Sequence, residues 1–378
     1  MKIVADDKIP FLKGALEPLA DVVYVPGKQI SREILKDADA LLIRTRTKCT
    51  DTLLKGTNVR FIGTATIGFD HIDTHYCDIH EIRWTNAPGC NSSSVQQYVA
   101  AALLKMACDH KYNLKDKTIG IVGAGNVGTK VEKIARILGM NVLLSDPPRA
   151  RKEGDKNFVL PESIIYESDI ITVHVPLSIV GEDKTYHLFN EKNFKKMKKG
   201  TWFLNTSRGE VTDTSALKKA LSSGKLGGAI IDVWEKEPDI DLELMEKSFI
   251  TTPHIAGYSA DGKANGTAMV VNSLCRFFNL PLENWYPEDI PVPSNTEIII
   301  DGKGKSDEDI IREAVFHTYN IEDDDIKLRF SPADFEKQRG DYPLRREFPS
   351  YKINLKGGSK KVHKILKELG FKVEVKSA

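Results

Sequence analysis

The sequence predicts an α/β protein built on two doubly wound parallel sheets, followed by a smaller α+β unit. Three observations carry this. Short apolar runs alternate with stretches of helical period over residues 1–280, the pattern of repeated βα units. A glycine-rich turn at Gly123, Gly125 and Gly128 joins one such run to one such helix. A proline-rich break at 279–294, NLPLENWYPEDIPVPS, can neither continue a helix nor donate to a strand ladder, and it sets off a last segment with its own apolar runs. At 378 residues the chain is too long for one ordinary core.

Near the N-terminus, KIVAD, VVYVP, ALLIR and FIGTA read as strands of a small parallel sheet, with helices between them. After the loop TNAPGCNSSS, Ser94 to Met106 has helical character, with serines available as N-caps. The run Thr118 to Val122 is a buried strand, Val127 to Leu138 is the helix after the glycine turn, and DIITVHVP, TWFLNTSR, LGGAIIDV and SFITTPHI supply four further strands. A helix from about Ala260 to Asn279 returns the chain to the first domain. Beyond the break, EIIID, YKINL and FKVEV are strands, and 307–319 and 360–369 are helices. The expected division is 1–93 with 259–284, then 94–258, then 285–378.

Hydrophobic residues make up 41% and charged residues 28%, with a formal net charge of +1, so no general attraction to nucleic acid or an anionic membrane is expected. No apolar run approaches the roughly 20 residues that span a bilayer, and MKIVADDKIP lacks the regions of a signal peptide. The cytoplasm is the expected location. Cys49, Cys77, Cys90, Cys108 and Cys275 are scattered, with neither CxxC nor zinc-ligand spacing, and read as reduced packing residues. No metal site is expected.

Each glycine of the turn has a task. The first permits the tight turn, the second lets backbone approach a pyrophosphate, and the third lets helix and strand pack closely, the fingerprint of a Rossmann-like domain. The helix N-terminus offers unpaired N–H groups to phosphate. Asp146 follows 18 residues after Gly128, where a carboxylate accepts ribose hydroxyls and repels a 2′-phosphate. NAD is the expected cofactor. Arg149 and Arg151 follow closely, and an arginine there suits NADP instead.

NTSRGE, DVWEKEP and TPHIAGY lie at the ends of successive candidate strands, where open α/β sheets bind ligands. Their polar residues suit the oxidation of a 2-hydroxy acid. His254 is a base with an ordinary pKa of about 6.5, Glu237 orients its imidazole, and Arg208 holds a carboxylate through paired hydrogen bonds. Taken singly, each has a plainer reading: a surface arginine, a solvated glutamate before a proline, a satisfied buried histidine. Arg44 and Arg46, and separately Arg345 and Arg346, are candidate partners for a substrate phosphate; the second pair reads equally as a salt-bridged surface loop.

WFLNTSRGEVTDTSALKKAL, AIIDVWEKEP and TPHIAGYS, with the glycine turn, closely resemble the D-isomer-specific 2-hydroxyacid dehydrogenases over roughly residues 1–280. The resemblance implies catalysis by Arg208, Glu237 and His254, with Asp232 near the nicotinamide and the loop GTATIGFDHID, residues 63–73, donating backbone N–H groups to the substrate carboxylate. Asn126, Val127, Thr206, Ser207 and Gly257 join the implied NAD-binding residues, and Thr45, Thr66 and Tyr258 the implied substrate-binding ones. The extra C-terminal unit narrows the resemblance to a branch that acts on a small phosphorylated 2-hydroxy acid as a homodimer, with that unit serving dimerisation. Two other readings stay open: a member of the phosphoglycerate or hydroxypyruvate type, and an NAD(H)-sensing corepressor.

Overall fold

The computed structural model describes residues 1–375. The chain forms two compact units, one of residues 1–91 with 259–291, the other of residues 92–258 with the chain from 292 onward.

The first unit holds five parallel strands, β1 (Lys2–Asp6), β2 (Asp21–Val25), β3 (Ala40–Ile43), β4 (Phe61–Thr64) and β5 (Arg83–Thr85), in the order β2-β1-β3-β4-β5. Every residue of β3 and β4 is buried, which is why both read as continuous apolar runs. β5 is the three-residue edge strand Arg-Trp-Thr; it lacks an apolar run, and pattern alone does not flag it. The helix Ala260–Phe278 covers this sheet, capped by Ser259 through the Gly262 N–H and ended by left-handed Asn279. Its close approach depends on Gly63, where a Cβ would come within 2.5 Å of the Val270 side chain.

The second unit holds six parallel strands, β6 (Thr118–Val122), β7 (Asn141–Ser145), β8 (Ile170–Val173), β9 (Thr201–Asn205), β10 (Leu226–Ile231) and β11 (Ile250–Thr251), in the order β11-β10-β9-β8-β6-β7. The order reverses at β6, whose carboxyl end carries the glycine turn, so the turn sits at the switch point where such sheets bind ligands. Outside β7, the place of a further strand is marked by one bond, Val159 N–H to the Leu144 carbonyl at 2.7 Å. The predicted strand SFITTPHI shrinks to two residues because Pro253 has no N–H and His254 takes a left-handed φ of 56°.

After the break, β12 (Glu297–Asp301), β13 (Lys352–Lys356) and β14 (Lys372–Val375) form a third parallel sheet in that order. This sheet and its helices share one core with residues 92–258 through the helix Ser92–Asp109, which supplies Val99, Leu103 and Met106 to it. That helix is buried nearly all round, as expected of one with elements on every side. Among the described residues no helix is long and apolar enough to cross a membrane. Four of the five cysteines are buried; Cys108 is exposed.

Candidate active site

The glycine turn divides its labour as its spacing implies. Gly123 has φ +89°, and a Cβ there would lie 2.5 Å from the His174 carbonyl. A Cβ on Gly128 would collide with the Gly123 carbonyl at 1.9 Å, so only glycine lets the helix Asn126–Ile137 pack this close to the turn. A Cβ on Gly125 would meet nothing within 4 Å, and no side chain caps the helix that starts at Asn126 and Val127. The open cradle and free helix N-terminus fit a pyrophosphate.

Asp146 follows β7 with both carboxylate oxygens already accepting backbone bonds, from Ala124 N–H at 2.8 Å and Arg149 N–H at 3.1 Å. It braces the turn and caps the helix Pro147–Glu153 while keeping its charge at the cradle's edge. The neighbouring arginines are engaged: Arg149 with Glu153 and the Ala124 carbonyl, Arg151 with Asp183 and Glu182. This arrangement suits NAD rather than NADP.

His174, at the carboxyl end of β8, joins this site although no motif singled it out. Its ring bonds Thr172 Oγ1 at 2.9 Å and Thr206 Oγ1 at 3.3 Å. Burial pushes its pKa down to about 3. The unfolded chain therefore takes up this proton first as pH falls from the ordinary 6.5, and stability is lost between 6.5 and about 3. His174→Gln should flatten that part of the acid unfolding profile, as read by circular dichroism. An unchanged profile would mean that the imidazole is already charged in the fold. Beside it, Asn205 Oδ1 accepts from both the N–H (3.0 Å) and hydroxyl (2.8 Å) of Ser207, fixing the turn after β9.

The loops after β9, β10 and β11 assemble the candidate chemistry. His254 Nδ1 lies 2.7 Å from Glu237 Oε2, and the other oxygen of Glu237 accepts the Trp234 N–H at 2.9 Å. Burial raises the Glu237 pKa, but the hydrogen bond and charge of His254 outweigh it and hold the group below its ordinary value, so the carboxylate stays ionised. Glu235, two residues earlier, pairs instead with His187 at 2.8 Å.

Buried Asp232 anchors the loop that carries His254. Its Oδ1 accepts from the Thr252 hydroxyl (2.6 Å) and Ile255 N–H (2.8 Å), its Oδ2 from Ala256 N–H (3.0 Å). Since Thr252 spends its proton on Asp232, it accepts from Tyr98 Oη at 2.8 Å. Burial pushes the Asp232 pKa up, and these bonds with the charge of His254 only partly oppose it.

Arg208 follows β9, next to β10 in the sheet. Its Nη1 donates to the Ser207 carbonyl at 2.8 Å, and its own carbonyl accepts from Asn205 Nδ2 at 2.9 Å. A Cβ on Gly209 would lie 1.9 Å from the Trp234 carbonyl carbon, so glycine seats the Arg208 turn directly on the loop that holds Glu237. Gly257 lies in the turn closed by Tyr258 N–H on the Ile255 carbonyl at 2.8 Å; the Tyr258 ring meets Tyr342 edge-on at 5.8 Å.

In the first unit, Thr45 is exposed just after β3 and Thr66 follows β4, so both stand at carboxyl ends of adjacent strands. Thr66 Oγ1 donates to the Gly68 carbonyl at 3.0 Å and contacts Thr64 Oγ1 at 2.8 Å, with His71 Nε2 3.1 Å from Thr64 Oγ1. Arg44 reaches the Lys8 carbonyl at 3.2 Å. Arg345, a candidate phosphate partner, is instead turned inward. Its residue is 4% exposed, and its guanidinium donates to the carbonyls of Ile255 (3.0 Å) and Ala256 (2.6 Å).

Residues 92–256 match the family model described as D-isomer specific 2-hydroxyacid dehydrogenase, NAD binding domain, and residues 290–370 match one described as a domain of unknown function. A Bacteroides fragilis protein named erythronate-4-phosphate dehydrogenase is 52% identical over 354 residues, which is 93% of this chain and 99% of that protein. One of the same name from Porphyromonas gingivalis is 42% identical over 98% of this chain and 100% of its own. Among solved structures, an Aquifex aeolicus D-lactate dehydrogenase with NAD and lactic acid superposes with a TM-score of 0.62 at 27% identity, covering 74% of this chain and 96% of that one. An NAD+-bound 3-phosphoglycerate dehydrogenase from Entamoeba histolytica gives 0.62 at 27% identity, covering 75% and 98%.

Proposed function

Since this chain belongs to the erythronate-4-phosphate dehydrogenases, within the D-isomer-specific 2-hydroxyacid dehydrogenases, we propose that it oxidises 4-phospho-D-erythronate to 2-oxo-3-hydroxy-4-phosphobutanoate with NAD, in pyridoxal 5′-phosphate biosynthesis. The 2.7 Å contact between His254 Nδ1 and Glu237 carries the chemical reading. With Nδ1–H given to the carboxylate, the Nε2 lone pair is left to take the substrate's 2-hydroxyl proton. Arg208 binds the adjacent carboxylate, and Thr45, Thr66 and Tyr258 hold the rest of the substrate. NAD, when bound, accepts the hydride. Gly123, Gly125, Asn126, Val127, Gly128, Asp146, Thr206, Ser207, Asp232 and Gly257 would hold it.

A panel of 2-hydroxy acids followed by nicotinamide absorbance tests this. The expected result is a kcat/KM for 4-phosphoerythronate well above those for 3-phosphoglycerate and glycerate. A preference for 3-phosphoglycerate would move the chain to another branch of the family, and NADH binding without turnover of any acid would favour a sensing role.

The working assembly is proposed to be a cytoplasmic homodimer, with 1–93 and 259–284 binding substrate, 94–258 binding NAD, and 285–378 serving dimerisation. What supports the last role is exposed apolar surface. Phe330 is 89% and Ile326 57% exposed one turn apart on the helix Ile321–Phe330, and Ile299 of β12 is 70% exposed. Phe330→Asp should shift sedimentation from dimer to monomer. A dimer as tight as the wild type's would exclude this face.

A further inference from the structure

The region matching a domain of unknown function contributes a side chain that fixes the loop bearing His254. Arg345 Nη2 donates to the Ile255 carbonyl at 3.0 Å and the Ala256 carbonyl at 2.6 Å, and it also contacts Ser94 Oγ. Ser94 Oγ donates in turn to the Ala256 carbonyl at 2.9 Å. The guanidinium lies 4.4 Å from the Tyr319 ring centroid, and its Nη1 faces the Tyr342 hydroxyl at 3.4 Å. On the opposite side, Asp232 accepts the N–H groups of the same two residues, Ile255 and Ala256.

One peptide segment is thus gripped by an anion on its N–H groups and a cation on its carbonyls. Charge-assisted bonds of this kind are about twice as strong as neutral ones, and burial strengthens them further. His254, immediately before that segment, sits at φ 56°, which a non-glycine residue keeps only where its surroundings over-determine it. Its own N–H is held by the Asp232 carbonyl at 2.7 Å.

We propose that Arg345 is a positioning residue for the reaction: from the C-terminal region it clamps the Ile255–Ala256 peptides so that His254 keeps Nδ1 on Glu237 and presents Nε2 to substrate. This rests on the reading of His254 as the base. Arg329 provides the contrast, since it docks the same region through the carbonyls of Met245 (2.7 Å) and Ser248 (2.8 Å), which precede β11, and makes no bond to the segment after His254 that Arg345 holds.

The test is a double-mutant cycle in the full-length protein. Arg345→Gln should lower kcat about 10- to 100-fold, the scale of a misplaced catalytic group, with KM changed less than about threefold. In a His254→Gln background the same substitution should change kcat less than about twofold, because the group it positions is gone. Arg329→Gln should keep kcat. The downfield ring-proton resonance of the His254–Glu237 bond should broaden or vanish in Arg345→Gln and persist in Arg329→Gln. If Arg345→Gln does not fold, Ser94→Ala, which removes one donor to Ala256, should show a smaller loss with the same dependence on His254. Retained kcat in a folded Arg345→Gln, or a loss that multiplies undiminished with His254→Gln, overturns the proposal. Should 4-phosphoerythronate prove not to be the substrate, the cycle is run on whichever 2-hydroxy acid is turned over, or the resonance is read alone.

Discussion

His254→Gln removes most of the turnover: kcat falls about 10²- to 10⁴-fold, the range for general-base assistance, while NADH affinity stays within about twofold. Glutamine is the informative replacement because it reaches the position of Nε2 with an amide that is not basic. The loop is further held by Asp232 and is not expected to collapse. What is lost is the Nε2 lone pair. Pre-steady-state absorbance would place the loss on the chemical step, and near wild-type turnover would remove His254 from the mechanism.

Arg208→Lys comes next in size, despite keeping the charge. Lysine lacks the planar fork that bonds a carboxylate with two parallel N–H groups. Losing one charge-assisted bond of about 1.5–3 kcal/mol at the transition state lowers kcat/KM about 10- to 100-fold. The backbone around it should survive, because Asn205 binds the Arg208 carbonyl and Gly209 seats the turn, both independently of the guanidinium. Steady-state kinetics across substrate concentration will show KM rising together with a lower kcat. Unchanged kcat/KM would place Arg208 outside the site.

Parts of the site were legible because their signal is local. The glycines at 123, 125 and 128 lie within one turn; close backbone contacts require the first and third, and the second leaves the cradle open. His174 was legible only as a polar residue ending an apolar strand, a signal too common to rank. The helix Ile321–Phe330 escaped the pattern for a different reason. It docks largely through buried carboxylates, Asp325 on the Thr251 N–H at 2.7 Å and Asp324 on the Tyr342 hydroxyl at 2.7 Å, so it lacks the apolar stripe that marks a packed helix.

The sequence by itself determined the parallel α/β architecture, the nucleotide cradle and the strand ends that carry polar residues, since apolar period and glycine spacing act between chain neighbours. Only the tertiary structure decided which groups meet. Glu237 and Glu235 stand two residues apart in one acidic loop, yet the first takes His254 and the second His187. Arg345, which reads as a phosphate partner or equally as part of a salt-bridged surface loop, is buried against the Ile255 and Ala256 carbonyls, 90 and 89 residues away in the chain. Such pairings follow from where separate loops land above the sheet, and no local pattern encodes that.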